Sequence, residues 1–360
     1  MIKNKHNFAK QIRIGSKTLK DCGPVFIVAE AGLNHNGSMK LAKKLIDAAK
    51  DAGADAVKFQ TFKAEEENTE KAYKVDYQKD ETGDSESYID MIKKMEFGEE
   101  EHRVLMDYCK KKNIIFISTP SEEVSADLLM KLDVPAFKIA SNDLVTIPML
   151  EKIAAFGRPM IISTGMADLA EVKEALDTVS ALGNKDVILL HCTSSYPTPP
   201  EDLNLNAMST LKNELGCLVG FSDHSEGVEA ASLAVLLGAV LIEKHFTLDK
   251  TLPGPDHRMS LLPGELKAMV EAIRQAEHAR IMLGDPEKKP TKMELETRKA
   301  TRKGIVARRD IKNRETIDAG MLAYKRPALG LPPRVYKQVV GKLAAADIAK
   351  DEFITENLLS

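Results

Sequence analysis

Eight short apolar runs recur along this chain, each carrying a chemically capable residue at or near its end, and that repetition limits the possible folds more than any single motif does. The runs are FIVAE to Glu30, AVKFQ with Lys58 and Gln60, IIFIST to Thr119, and AFKIAS with Lys138 and Ser141. They continue as PMIIST to Thr164, VILLHCTS to Ser194, CLVGFSDH to His224 and AVLIEKH to His245. Most are separated by a helix-like stretch, which is the pattern of repeated βα units. Eight such units predict an α/β protein built on a (β/α)₈ TIM barrel, whose strands deliver their C-terminal ends to one mouth. Polar residues at those ends then read as an active site and not as core.

A barrel of this kind uses about 250 residues, so a chain of 360 leaves room for one small further domain. The boundaries read as a barrel over 1–285, a linker over 286–302 and a compact module over 303–360. A net charge of -3 gives no broad electrostatic attraction for nucleic acid or an anionic membrane, which leaves small molecules as the expected partners. No run approaches the length of a membrane span, and MIKNKHNFAKQIRIGSKTLK lacks the apolar core of a signal peptide. The expected location is the cytoplasm. Cys22, Cys109, Cys192 and Cys217 are far apart and form no CxxC pair, so reduced thiols are expected and neither a zinc knuckle nor a redox motif is indicated.

Helices are readable between the runs. SMKLAKKLIDAAKDAG opens at Ser38, a plausible N-cap, and closes at Gly53, suited to the left-handed turn after a helix. ADLAEVKEALDTVSALG repeats the pattern to Gly183. The stretch from Glu65 to Phe97 is long, acidic and lysine-rich, and reads as an extended loop serving as a lid or dimer contact. TLDKTLPGPDHRMSL, from Thr247 to Leu261, should also sit over the mouth. A last barrel helix ends near Gly284, and DPEKKPTKMELETRKATRK then loses apolar periodicity. From Gly304 short β-like runs and turns make a module whose core is marginal, so it is expected to lean on a larger surface.

Several residues at the mouth invite more than one chemistry. His224 and His245 end adjacent strands, close enough to hold one divalent ion with positions open for substrate; the alternative is a pair of hydrogen-bonded histidines without metal. Lys58 and Lys138 lie inside otherwise apolar runs, where an unpaired buried ammonium is expensive, so they should face a polar site. One of them would form a Schiff base, or both would grip a phosphate or carboxylate, and the hydroxyls of Ser141, Ser163 and Ser194 favour the second. Glu30 reads as a general acid or base, or as a structural partner of Lys58, while Gly32 and Gly37 would let backbone approach a ligand. Asp256 is placed to reach metal or substrate from its loop; His35 and His257 are weaker candidates.

Taken together, AEAGLNHNGS, GADAVKFQTFKAE, FISTP, FKIAS, IISTGMA, LLHCTSSYPTP, GFSDHS, IEKHFTLDKTLPGPDH and KRPALG resemble the sialic acid synthase family, in order and over nearly the whole chain. The C-terminal module resembles the antifreeze-like (SAF) domain that this family carries. The resemblance implies an enzyme that condenses phosphoenolpyruvate with an N-acylated hexose, with C–O cleavage and release of phosphate. It implies that His224 and His245 hold a divalent metal, Mn²⁺ foremost, and that Glu30 is the general acid or base, with Lys58, Gln60 and Asp256 completing the catalytic set. By the same resemblance Thr119, Lys138, Ser141, Asp143, Ser163, Ser194, Tyr196 and Ser222 bind substrate, and Arg326 reaches the sugar's N-acyl group from the partner chain of a domain-swapped homodimer.

Three departures bear on substrate choice. Where relatives often read S-G-E after the fourth run, this chain has Ser141, Asn142 and Asp143, a carboxylate shorter by one methylene. Ser121 follows Pro120 where STPF is common, and RPALG replaces RPGNG around Arg326. N-acetylmannosamine is the first expected hexose, giving N-acetylneuraminate; a 2,4-diacetamido-trideoxyhexose, giving legionaminate or pseudaminate, is the alternative. Two rival classes are a barrel aldolase with Lys58 as Schiff base and a non-catalytic binding protein, the second having no need of two lysines and two histidines at strand ends.

Overall fold

The computed structural model describes residues 7–74 and 86–360, so the middle of the long loop expected between Glu65 and Phe97 lies outside the described residues. The chain divides into two compact units, Met1–Leu283 and Gly284–Ser360.

In the first unit eight parallel strands close into a barrel, in the order β10-β3-β4-β5-β6-β7-β8-β9. They are β3 (Phe26–Gly32), β4 (Ala56–Thr61), β5 (Ile115–Pro120), β6 (Phe137–Ile139), β7 (Met160–Ser163), β8 (Val187–Cys192), β9 (Leu218–Asp223) and β10 (Leu241–His245). Each of the eight apolar runs contributes one. Alternation along a strand sends neighbours to opposite faces, and two separate cores follow. Ile27, Ala29, Val57, Phe59, Ile139 and Ile242 face outward against the helices. Phe26, Val28, Ala56, Ile117, Ile161, Ile188 and Leu241 fill the interior.

A hairpin that the sequence reading did not anticipate, β1 (Gln11–Ile14) with β2 (Lys17–Lys20), adds Ile12, Ile14 and Leu19 to the interior cluster and so stoppers the N-terminal end. Its first strand alternates exposed and buried residues and its second buries only Leu19, a pattern too short and too polar to stand out in the sequence. Each of the three fully buried side chains contributes about 1.5–3 kcal/mol.

The helix Met39–Ala52 starts as expected, with Ser38 Oγ accepting from Leu41 N, and ends at Gly53 with φ 88°. Leu169–Ala181 opens on Asp168 with Glu171 in a capping box. The last barrel helix spans Pro263–Leu283. Within the expected linker, however, Lys292–Thr301 forms a helix capped by Thr291 and Glu294. Its residues are strong helix formers with none buried, so the loss of apolar periodicity marked the absence of a buried face and not the absence of a helix.

The second unit pairs β11 (Gly304–Ala307) with β12 (Leu322–Lys325) over a core that includes Ile305, Ile311, Ile317, Leu322, Val339 and Ile354. Among the described residues no helix is long and apolar enough to cross a membrane. The four cysteines are free, with Cys22 exposed and the others buried.

Candidate active site

Above the apolar interior, the next inward positions toward the C-terminal end are charged. Lys58 on β4 and Lys138 on β6 are buried there, with Glu30 from β3 and Glu243 from β10. Lys58 Nζ lies 3.3 Å from Glu30 Oε1, 3.2 Å from Glu243 Oε1, and donates to Thr119 Oγ1 at 3.1 Å. Lys138 Nζ is 3.6 Å from Glu243 Oε1 and donates to the carbonyl of Ile139. Two buried cations are tolerable because Glu243 is shared between them and Glu30 adds a second carboxylate at Lys58.

The electrostatics separate the two acids. Burial, aided by the neighbouring Glu243 charge, pushes Glu30 up to about 7, with Lys58 opposing. Burial also works against ionised Glu243, yet Lys138 and Lys58 outweigh it and hold the group down at about 2. Lys58 is likewise desolvated, but the two carboxylates raise its pKa, whereas Lys138, with less compensation, is lowered by burial. Glu243 was missed by the sequence reading. The available signal was alternation, since Glu243 stands two residues before His245 in one run and so shares its face.

Hydroxyls stand beside Lys138, after its own strand and on the next one. Ser163 Oγ is buried and has no hydrogen-bond partner. Ser141 Oγ accepts from Gly165 N at 3.1 Å and lies 3.3 Å from Cys192 Sγ. A Cβ on Gly165 would collide with Ser194 Oγ and stand 2.8 Å from both Cys192 Sγ and Ser141 Oγ, so only glycine leaves these side chains room to converge. Asp143, in the short turn Ser141–Asp143, is buried with Oδ2 unpartnered; burial and the charge of Glu67 push it up to about 7. Among the described residues it does not line the central cavity, although Ser141 and Asn142 do.

Toward the mouth stand the imidazoles. His224 follows β9, His245 ends β10, and their ring centroids are 5.8 Å apart. His224 Nδ1 is 2.7 Å from the carbonyl of Thr193, which fixes the N–H there and leaves Nε2 as the acceptor, in long contacts of 3.4 Å with Tyr196 OH and Ser222 Oγ. His245 Nδ1 is buried with no hydrogen bond, 3.9 Å from Asp256 Oδ2. Burial holds His224 at about 4 and His245 well below the usual imidazole range, so both are neutral at pH 7. Neutral rings, one with an unpartnered buried nitrogen and one whose acceptor nitrogen has only long hydroxyl contacts, suit a divalent cation. Among the described residues no group of three or more His, Cys, Asp or Glu side chains is assembled that could hold a metal ion.

Gly32 (φ 49°) marks where the remaining groups crowd. A Cβ there would come within 3.2 Å of Asp256 Oδ2, 3.3 Å of Glu30 Oε1 and 3.4 Å of Gln60 Nε2. Burial pushes Asp256 up to about 6. A cavity of about 960 Å³ joins these parts, with Glu30, Lys58, Gln60, Thr119, Lys138, Ser163, Ser194, Tyr196, Ser222, His224, His245 and Asp256 on its wall. The expected site residues of the first unit thus converge, Asp143 lying behind the wall. Arg326 belongs to the second unit, where it is exposed just after β12.

A closed eight-stranded barrel with acids, cations and neutral imidazoles gathered at its C-terminal mouth defines a TIM-barrel enzyme. Residues 45–287 match the NeuB family, and residues 302–360 match the SAF domain. The chain is 46% identical over 332 residues, 92% of it and 98% of the relative, to N,N'-diacetyllegionaminic acid synthase of Campylobacter jejuni. It is 36% identical to human N-acetylneuraminate-9-phosphate synthase over 338 residues, 93% of each chain. The crystal structure of spore coat polysaccharide biosynthesis protein SpsE from Bacillus subtilis superposes with a TM-score of 0.67 at 40% identity, covering 97% of this chain and 99% of that one. The chain belongs to the NeuB family, the sialic acid synthases, and carries that family's enzymatic barrel together with an SAF domain.

Proposed function

We propose that the enzyme condenses phosphoenolpyruvate with the open-chain form of an N-acylated hexose, joining carbon 3 of the enol to the sugar's aldehyde carbon. The observation that supports this reading is the presence of two buried lysines, unpartnered Ser163 and two neutral imidazoles on the wall of one cavity. Lys58 and Lys138 bind the anionic co-substrate, with the hydroxyls of Thr119, Ser141, Ser163 and Ser194 orienting it. Glu30 Oε1 is engaged by Lys58 and Gln60, so Oε2, buried and unpartnered, is the atom left to hold or pass a proton. With a pKa near 7 it can do either. A divalent ion, Mn²⁺ foremost, held by His224 and His245 would polarise the aldehyde as a Lewis acid. Water adds at carbon 2 of the former enol, and phosphate then departs with cleavage of its C–O bond. Tyr196, Ser222 and Asp256 orient the sugar, Asp143 acts from behind the wall through the Ser141–Asp143 turn, and Arg326 of the second chain in a swapped homodimer meets its N-acyl group.

For the hexose, the first reading is N-acetylmannosamine, yielding N-acetylneuraminate. The 46% identity to a diacetyllegionaminic acid synthase, against 36% to the human synthase, favours a second, a 2,4-diacetamido-trideoxyhexose. Both are tested by presenting a panel of N-acylated hexoses with phosphoenolpyruvate and Mn²⁺ and measuring phosphate release. The preferred hexose is the one with the highest kcat/KM; release with none of them would reject the reaction class.

A further inference from the structure

The outward faces of β9 and β10 carry a buried ion pair that the reaction above does not use. Lys244 Nζ lies 2.7 Å from Asp223 Oδ2, with side-chain exposures of 2% and 0%. The two residues face each other in the ladder, where Ile242 pairs with Phe221, Glu243 with Ser222, and finally Lys244 with Asp223. Register between these strands ends there, and the next residues are His224 and His245. Lys244 also donates to the carbonyl of Ser225 at 2.8 Å. Asp223 Oδ1 accepts from Ser225 N at 2.9 Å and from Ser225 Oγ at 2.6 Å. The strand that carries His245 therefore grips the chain on both sides of His224.

We propose that Asp223 and Lys244 are positioning residues that set the separation of the two imidazoles and thereby the affinity for a divalent cation. This rests on the metal reading of His224 and His245 given above. A buried ion pair is a poor source of stability, because stripping water from both charges offsets their attraction. A pair placed at the last rung before two candidate ligands does more for geometry than for stability. His224 is bracketed through its backbone by Lys244, while its ring is held by Thr193. His245 is tied on its far side, its carbonyl accepting from Leu261 N at 2.9 Å. With the pair gone, His224 would keep its ring contact to Thr193 and the bond its carbonyl accepts from Thr198 N at 2.8 Å, but nothing would tie the chain around it to the strand that carries His245.

The test replaces both charges together, Asp223→Asn with Lys244→Met, so that neither is left buried alone and the Asn oxygen still accepts from Ser225. Binding of Mn²⁺ alone to the full chain is followed by electron paramagnetic resonance, at a temperature where circular dichroism shows every variant folded. The expected result is a rise of about 10- to 100-fold in the Mn²⁺ Kd, the usual cost of losing the groups that orient metal ligands. Calorimetric binding of phosphoenolpyruvate without metal should stay within about threefold, since Lys58 and Lys138 are untouched. A merely structural pair would lower the melting temperature and leave that Kd alone. His224→Ala is the reference. If it binds Mn²⁺ as tightly as the parent, the metal reading fails and the proposal with it. If it loses Mn²⁺ while the double variant keeps the parental Kd, the positioning role is overturned and the metal reading stands. Should the double variant not fold, Lys244→Arg, which keeps the charge but cannot place one ammonium between Asp223 and Ser225, carries the same test, and an unchanged Mn²⁺ Kd would overturn the proposal.

Discussion

Replacing Lys58 with Met removes one charge from the most tightly coupled point of the site while keeping much of the side chain's bulk. Glu30 Oε1 and Glu243 Oε1 each lie within 3.3 Å of Lys58 Nζ, so they are no more than about 6.6 Å from each other. Two ionised carboxylates at that distance repel by roughly 2.5 kcal/mol at an effective dielectric of about 20. Glu30 already sits near 7, and Lys58 is the main group opposing its rise, so the variant relieves the repulsion by keeping a proton on Glu30. The fold should therefore survive. Binding should not, because an anionic group about 4 Å from the lost ammonium gives up roughly 4 kcal/mol, close to a thousandfold in Kd. The two carboxylates already draw on the same charge, which lowers the expectation to about 100- to 1000-fold. Calorimetry of phosphoenolpyruvate binding to Lys58→Met, checked for fold by circular dichroism, measures this directly. A Kd within about threefold of the parent would refute the electrostatic role. So would a borohydride-trapped substrate adduct on Lys58 of the parent enzyme, which would move the chain to the aldolase reading.

Three further outcomes are expected. Glu243→Gln leaves Lys58 to Glu30 but strips Lys138 of its carboxylate, and losing the anion of a buried pair costs about 3–5 kcal/mol; a melting temperature unchanged from the parent would show that the carboxylate does not hold Lys138 in place. Chelation with EDTA should abolish phosphate release and added Mn²⁺ restore it, whereas full turnover in chelator would sink the metal role of His224 and His245. Lys58→Ala and Arg326→Ala chains should each be nearly inactive alone, and their co-expressed mixed dimers should regain one intact site in two; purified mixed dimers no more active than the single variants would reject the domain swap.

Much of the barrel is legible because most of the apolar runs are set off by turns or capped helices, and the runs end within two residues of the strands they become. Lys58, Lys138, Glu30 and the two histidines stand out by being chemically unlike the runs that hold them. The hairpin from Gln11 to Lys20 does not, since only Ile12, Ile14 and Leu19 turn inward and the intervening residues are polar. The helix Lys292–Thr301 escapes for the opposite reason: it has the propensity and the cap but no buried stripe, and a stripe is what periodicity detects.

The run AVLIEKH shows most clearly what register adds. Read as letters, Glu243 and Lys244 look like an adjacent surface pair ahead of a histidine. On β10 they part company, Glu243 turning inward to Lys58 and Lys138 and Lys244 turning outward to Asp223. The inward contact depends on a partner 185 residues earlier, on β4, and the outward one on a partner 21 residues earlier, on β9. No local pattern encodes either distance. Both follow once β10 is known to close the barrel between β9 and β3. The same closure puts the anion that tunes Glu30 and the clamp that brackets His224 on opposite faces of one five-residue strand, so a substitution on the outer face of β10 acts on the chemistry inside through His224 and His245, not through the lysines.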